Sequence, residues 1–149
     1  MKTKIISKIL LSLGLVFVLG SAITQVYGED EALPVVSIHS TGDVTRGQTG
    51  SFVVDLSQTT GILPFYPFVN FSVSGTGIPG VDYIALVSPA YIGHSGYATL
   101  LVKTLADARG GSQAYSVIVT LKAGPGYTIA ATSSSAKMMI KPYAPPCCE

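Results

Sequence analysis

The sequence predicts an all-β protein, and three observations carry that prediction. Apolar and polar residues alternate with a period of two through most of the chain beyond residue 35, as they do in strands that bury one face. Glycine and proline interrupt these runs and supply the backbone angles that turns require. No run beyond the N-terminal segment has the spacing of an amphipathic helix. About seven short strands with regular turns favour two packed sheets, a β-sandwich.

Six runs are the clearest strand candidates, because each alternates between two faces. They lie at residues 36–39, 52–57, 69–74, 98–103, 115–122 and 136–141. The turns around them contain glycine, as in the stretches 41–43, 46–48, 75–80, 93–96, 109–111 and 124–126. Pro64 and Pro67 precede the third run, and proline there indicates an edge or an irregular start of a strand.

The first 28 residues have the pattern of a secretory signal peptide. Lysines at positions 2, 4 and 8 precede an apolar run at 9–19 and small residues towards position 28, in the order typical of such peptides. The apolar run is shorter than the roughly 20 residues that span a bilayer. We expect cleavage after Gly28, with cleavage after Ala22 or an uncleaved membrane anchor as alternatives. The expected location is secreted, extracellular or at the cell surface, with the periplasm as an alternative.

The rest of the chain divides into a short acidic linker at 29–34, the β-sandwich at 35–141 and a C-terminal tail at 142–149. Beyond residue 28 it carries six bases and eight acids, a net charge of −2. Nucleic-acid binding depends on clustered lysine and arginine that neutralise phosphates, so we expect no nucleic-acid partner. We also expect no stable membrane span once the signal peptide has been cleaved.

Two cysteines, Cys147 and Cys148, are adjacent and almost at the end of the chain. Neighbouring cysteines bridge one another only with strain, and there is no third cysteine to cross-link the sandwich. In an oxidising compartment they are candidates for an intermolecular disulfide or a tethered tail. The alternative is a tail whose thiols have no role.

Several motifs follow one another in a definite order along the sandwich. Arg46-Gly47 precedes the strand at 51–57, and a Gly-Thr-Gly turn at 75–77 closes on Gly-Val-Asp-Tyr at 80–83. The later strands lie at 96–105, 115–121 and 136–140. In this order the chain resembles a Calx-beta domain, a module first known from sodium–calcium exchangers. The resemblance implies an immunoglobulin-like antiparallel β-sandwich of about seven strands.

Calcium is the best-known ligand of that family, and the ion takes six to eight oxygen ligands, several of them carboxylates. Arg46 stands where the family has an early acid, and Ser74 stands where an acid often precedes the turn. The acidic loop between the two long strands is reduced to Asp107, with Arg109 close by, and Lys-Pro-Tyr-Ala replaces the last acidic run at 141–144. We therefore expect no tight calcium site and no cofactor.

Asp82 and Asp107 are the remaining weak candidates for calcium ligands. Asp82 has a second interpretation, because an aspartate in a glycine-rich turn commonly accepts backbone N–H groups and stabilises the turn. The neighbouring Tyr83 is expected to pack in the core. This alternative makes the turn at 75–83 part of the scaffold instead of part of an ion site.

Catalytic motifs are absent from the sequence. His39 and His94 are the only histidines, and neither lies in a metal-binding motif. Ser95 stands between glycines, but its spacing is not that of a nucleophile elbow. Paired carboxylates for glycoside hydrolysis are scarce. We therefore expect that the protein is not an enzyme.

The sequence favours a secreted, non-enzymatic structural or adhesive module at the cell surface or in the extracellular matrix. A calcium-binding regulatory or adhesion domain is one alternative. Another is a subunit of a self-associating or disulfide-linked extracellular assembly, which uses the two cysteines or an exposed edge strand. We expect a protein partner or self-association, because several strands are apolar on both faces.

Overall fold

The structure, a computed structural model, describes residues 33–57, 67–106 and 112–143 of the chain. The predicted signal peptide at 1–28, most of the linker at 29–34 and most of the tail at 142–149 lie outside the described residues. Those assignments stay predictions from the sequence. Within the described ranges, no helix is long and apolar enough to cross a membrane.

The described residues form strands and turns, with no helix among them. The strands are β1 (Val35–Ser40), β2 (Val44–Thr45), β3 (Thr49–Ser57), β4 (Phe68–Val69), β5 (Phe71–Ser74), β6 (Ala90–Tyr91), β7 (Tyr97–Lys103), β8 (Tyr115–Leu121), β9 (Thr128–Ile129) and β10 (Ser135–Lys141). All six predicted runs are therefore extended, which confirms the all-β prediction.

The first sheet has the order β7-β3-β1-β9. Its central strand β3 is antiparallel to β1 and to β7, and residues 49–55 of β3 pair without interruption with residues 103–97 of β7. The two-residue strand β9 lies parallel to β1. Just ahead of β1, the carbonyl of Pro34 accepts a 2.9 Å hydrogen bond from the backbone of Thr128, so the last residue of the predicted linker is attached to the sheet.

The second sheet has the order β2-β10-β8-β5. Strand β8 is antiparallel to β10 and to β5, whereas the two-residue strand β2 lies parallel to β10. Strands β4 and β6 form a separate two-stranded antiparallel sheet. The long strands are therefore antiparallel, which confirms the predicted antiparallel β-sandwich, and the two-residue strands β2 and β9 add short parallel pairings at the sheet edges.

The third predicted strand, 69–74, is divided at Asn70 into β4 and β5, which belong to different sheets. The Asn70 amide donates to the Tyr127 hydroxyl at 3.1 Å, and its carbonyl accepts from Lys122 at 2.8 Å. These bonds connect the break between the strands to the end of β8. A period-two pattern continues through such a break, so it does not reveal the change of sheet.

The core lies between the two long sheets and is lined by alternate residues of each strand. Phe52 and Val54 of β3, and Val117 and Val119 of β8, have no exposed surface. Burying one such side chain contributes about 1.5–3 kcal/mol. The other fully or nearly fully buried apolar residues include Val36, Ile38, Val69, Ile92, Val102, Met138 and Ile140.

Candidate functional site

The turn at 75–83 connects β5 to the chain that leads towards β6, and it is tightly hydrogen-bonded. The amides of Val81 and Asp82 both donate to the carbonyl of Ile78, at 3.1 and 2.8 Å. The amide of Gly80 donates to the carbonyl of Tyr83 at 2.8 Å. Gly75 and Gly80 have φ angles of 118° and 81°, a region that residues with a Cβ atom rarely adopt. The backbone of the turn therefore favours glycine at positions 75 and 80.

Strand β8 holds this turn in place through Ser116. The Thr76 amide donates to the Ser116 hydroxyl at 3.1 Å, and the Ser116 amide donates to the Thr76 hydroxyl at 2.9 Å. The Gly77 amide adds a 2.9 Å bond to the Ser116 carbonyl. These three contacts satisfy polar groups that would otherwise be costly to bury.

Asp82 is fully buried at the end of the turn. Its Oδ2 atom accepts a hydrogen bond from the Ile78 amide at 2.8 Å, which is the backbone contact predicted for this aspartate. Its own carbonyl accepts from the Leu105 amide at 2.9 Å. Asp82 thus connects the turn to the segment that follows β7.

Arg46 extends from the turn between β2 and β3 towards the same carboxylate. Its Nη2 atom lies 3.3 Å from Oδ1 of Asp82, and its side chain is only 4% exposed. The guanidinium carbon lies 5.0 Å from the centre of the Tyr115 ring at the start of β8, within the range of a cation–π contact. The Arg46 amide donates to the carbonyl of Lys141 at 3.0 Å, so Arg46 also connects this end of the sandwich to β10.

The Arg46 guanidinium is incompletely satisfied within the described residues. Its Nε and Nη1 atoms are buried and have no hydrogen-bond acceptor there. A buried donor without an acceptor costs about 1–3 kcal/mol, whereas an ion pair and a ring contact offset part of the cost of burying a cation. The guanidinium is therefore held chiefly by Asp82 and Tyr115.

These residues together form one buried ion pair at the end of the sandwich. The described residues contain no group of three or more His, Cys, Asp or Glu side chains that would hold a metal ion. The site brings Asp82 and Arg46 together. Asp107, the second candidate ligand, lies outside the described residues, and so do Cys147 and Cys148.

Tyr83 packs in the core as predicted, with only 1% of its surface exposed. Burial raises the pKa of its phenol above the ordinary value, and the nearby charge of Asp82 adds to the effect. A Cβ atom at Gly77 would lie 3.3 Å from the Tyr83 ring and 3.2 Å from the Ser116 carbonyl. The small residue at 77 therefore leaves space for both neighbours.

The histidines do not contribute to this site. His39 lies on the outer face of β1, where its Nδ1 atom is 2.9 Å from Oδ2 of Asp55. His94 lies in the turn between β6 and β7.

Sequence reasoning missed two features of the site itself: the direct pairing of Arg46 with Asp82, and Tyr115 as the ring beneath the guanidinium.

The fold is shared with known structures. The crystal structure of the apo-form Calx CBD1 domain matches with a TM-score of 0.56 over 75% of this chain and 99% of that one. The chain is similar in fold to a Calx domain. The sequence-based resemblance to Calx-beta domains is thereby confirmed at the level of fold.

A second structure, CBD12 from CALX1.2, matches with the same TM-score of 0.56, over 72% of this chain and 45% of that one. Sequence identity is 14% in both comparisons, so the similarity concerns the fold alone. No protein-family model matches the sequence, and no curated protein matches it.

Proposed function

We propose that the chain is a non-enzymatic β-sandwich module with a structural or adhesive role outside the cell. In this proposal the Arg46–Asp82 ion pair takes the place that a calcium ion has in the resembled family. The replacement of calcium by an ion pair rests on one observation, the 3.3 Å contact between these two buried side chains. A guanidinium that already neutralises the carboxylate removes the electrostatic reason for an ion to bind there.

The charge at the site supports this interpretation. A divalent cation would meet the positive guanidinium of Arg46 at close range in a buried environment, where charges interact more strongly than in water. Calcium also takes six to eight oxygen ligands, and Oδ2 of Asp82 already accepts the Ile78 amide. The site therefore favours a permanent internal cation over an exchangeable one.

The surface supports a role in contact with other proteins. Phe68 and Tyr91, paired across β4 and β6, are 59% and 54% exposed, and their ring centres are 4.9 Å apart. Val87 in the adjoining loop is 81% exposed. Exposed aromatic side chains are enriched at protein interfaces. The predicted signal peptide at 1–28 supports a location outside the cell.

Calcium titration of the full chain tests the proposal. Calorimetry and thermal melting at millimolar calcium should show no binding heat and no rise in melting temperature. An Arg46→Glu variant removes the cation and adds a carboxylate beside Asp82, so calcium should raise its melting temperature. Lys122→Glu, the same change of charge at an exposed position, is the matched control and should not respond.

The wild-type result decides the matter independently of the variant. A calcium-dependent rise in the melting temperature of the unchanged chain would favour the alternative, a calcium-binding regulatory or adhesion domain. Such a site would draw on ligands beyond Asp82, with Asp107 as the first candidate for substitution.

A further inference from the structure

Strand β7 is an edge of the first sheet, and its hydrogen-bonding pattern shows which of its backbone groups point away from β3. Leu56 donates to the Gly96 carbonyl, and Thr104 donates to the Gln48 carbonyl, at 2.9 and 3.1 Å. Hydrogen-bonded and non-bonded pairs alternate in an antiparallel ladder. Residues 98, 100 and 102 therefore bond to β3, and residues 97, 99, 101 and 103 direct their backbone groups outward.

One of these outward groups is occupied: the Lys103 carbonyl accepts a 2.9 Å bond from the Ile84 amide. The Tyr97 carbonyl accepts only the Ser95 hydroxyl, at 3.1 Å. The backbone groups of Thr99 and Leu101 that face outward have no partner among the described residues. Charged side chains, prolines and interruptions of the pairing usually protect an edge strand. From Tyr97 to Val102, β7 contains no charge and no proline, and its pairing with β3 is uninterrupted.

The edge formed by β7 is covered at its C-terminal end, where Tyr83 bridges to Thr104, and the other sheet edges are shorter or partly covered. Strands β9 and β2 contain two residues each. Strand β5 contains four, and the amide of its first residue, Phe71, donates to the Ser88 hydroxyl at 3.0 Å. Among the described strands, β7 therefore offers the longest run of outward backbone groups, over residues 97–101.

We propose that β7 pairs antiparallel with β7 of a second copy of this chain, about a two-fold axis that passes beside Thr99. The inference names a partner for the structural or adhesive role proposed above and rests on that role. In this register Thr99 faces Thr99 of the other copy, and Tyr97 faces Leu101 twice. The outward amides and carbonyls of these three residues then form six hydrogen bonds across the axis.

A second copy fits because the strand is complementary to itself in this register. Tyr97 and Leu101 are 52% and 51% exposed, and pairing places the ring of one copy against the aliphatic side chain of the other. Such cross-strand pairs of an aromatic and an aliphatic side chain stabilise antiparallel strands. Threonine opposite threonine at the axis is likewise a favourable pair.

The charges of the outer face agree with the same arrangement. The outer face of the first sheet carries the acid Asp55 on β3, opposite Tyr97 at the start of β7. It carries the base Lys103 at the end of β7. The two-fold axis reverses one copy, so Lys103 of each copy comes to the end that carries Asp55 of the other. Like charges are therefore not brought opposite one another.

The test uses the full chain in reductant, so that the cysteines form no covalent link. Sedimentation velocity should show a reversible monomer–dimer equilibrium. Because Thr99 faces itself, both Thr99→Lys and Thr99→Asp place like charges at the axis, and each should raise the dimer dissociation constant about fivefold or more. Mixing the two variants should restore a dimer tighter than either variant forms alone. Thr45→Lys, at an exposed position on β2, is the matched control and should dimerise as the wild type does.

A wild-type chain that stays monomeric at all concentrations would overturn the inference, and so would unlimited aggregation. A dimer that both Thr99 variants leave intact, or variants that do not recombine on mixing, would equally exclude this register. Circular dichroism of each variant shows that the sandwich is folded. None of these results depends on calcium, so they are separate from the titration that tests the proposed function.

Discussion

The Nη2 atom of Arg46 lies 3.3 Å from Oδ1 of Asp82, and both side chains are almost completely buried. Burying either charge alone would cost several kcal/mol, so each side chain makes the burial of the other tolerable. Asp82 also holds the Ile78 amide at 2.8 Å. The ion pair therefore connects two turns whose paired residues are 36 positions apart in the chain.

Replacing Arg46 with Met should destabilise the protein strongly, because the buried carboxylate of Asp82 loses its guanidinium partner. Breaking a buried pair by removing one member costs about 3–5 kcal/mol. Arg46→Lys keeps the charge but loses the planar group that lies over Tyr115, so its loss should be smaller. Urea unfolding monitored by circular dichroism gives the change in the free energy of unfolding.

The double variant Arg46→Met/Asp82→Asn separates the ion pair from the packing. Its loss of stability should be clearly smaller than the sum of the two single losses, because neither charge is then left buried alone. Lys122→Met, at an exposed position, is the control and should stay within about 0.5 kcal/mol of the wild type. Additive losses in the double variant would contradict a direct interaction.

The five long strands, β1, β3, β7, β8 and β10, could be predicted from the sequence because each carries its own period-two pattern. The core residues of β3 and β8, such as Phe52 and Val119, fall on the predicted faces. The two-residue strands β2 and β9 could not be predicted, since two residues contain no period. Their parallel pairing depends on where distant strands β10 and β1 lie, which no local pattern specifies.

The site was predictable only in part. Asp82 in a glycine-rich turn indicated a backbone contact, and the Ile78 bond is that contact. Arg46 was recognised as a base in place of an acid, but its partner was not. A partner 36 residues away is brought into contact by the tertiary fold, and a single sequence does not encode that contact locally. The same limit applies to the ring of Tyr115.

The turn at 75–83 should be intolerant of a side chain at Gly75. A Cβ atom there would overlap the Ser116 carbonyl oxygen and lie 2.8 Å from the carbonyl carbon, and this backbone is held by the turn's own hydrogen bonds. The φ angle of 118° adds strain. Gly75→Ala should therefore cost about 3 kcal/mol or more.

Gly80→Ala is the matched comparison for Gly75→Ala in urea unfolding. Its φ angle of 81° is also positive, but a Cβ atom at Gly80 would have nothing within 4 Å. Only the backbone strain remains, so the expected loss is about 1–2 kcal/mol. Equal losses at the two positions would show that the contact with Ser116 adds nothing to the backbone effect.

Asp43 should make the stability of the second sheet depend on pH. Its Oδ2 atom lies 3.0 Å from Nζ of Lys141, and its Oδ1 atom accepts the Met139 amide at 3.0 Å. These bonds, that of Lys141 first, lower the pKa of the Asp43 carboxyl below its ordinary value. The folded protein therefore binds this proton less readily than the unfolded chain does.

The sign of the effect follows from that difference in proton affinity. The contribution of Asp43 is present above the pKa of the unfolded chain, about 3.9, and is lost as the pH falls through the lower pKa of the folded state. Urea midpoints of the wild type should therefore decrease on acidification below about pH 4. Asp43→Asn keeps the shape of the side chain but cannot titrate, so the difference between the two proteins should be largest at neutral pH and shrink in acid. A difference that stays constant across this range would show that the ionisation of Asp43 does not contribute to the stability of the protein.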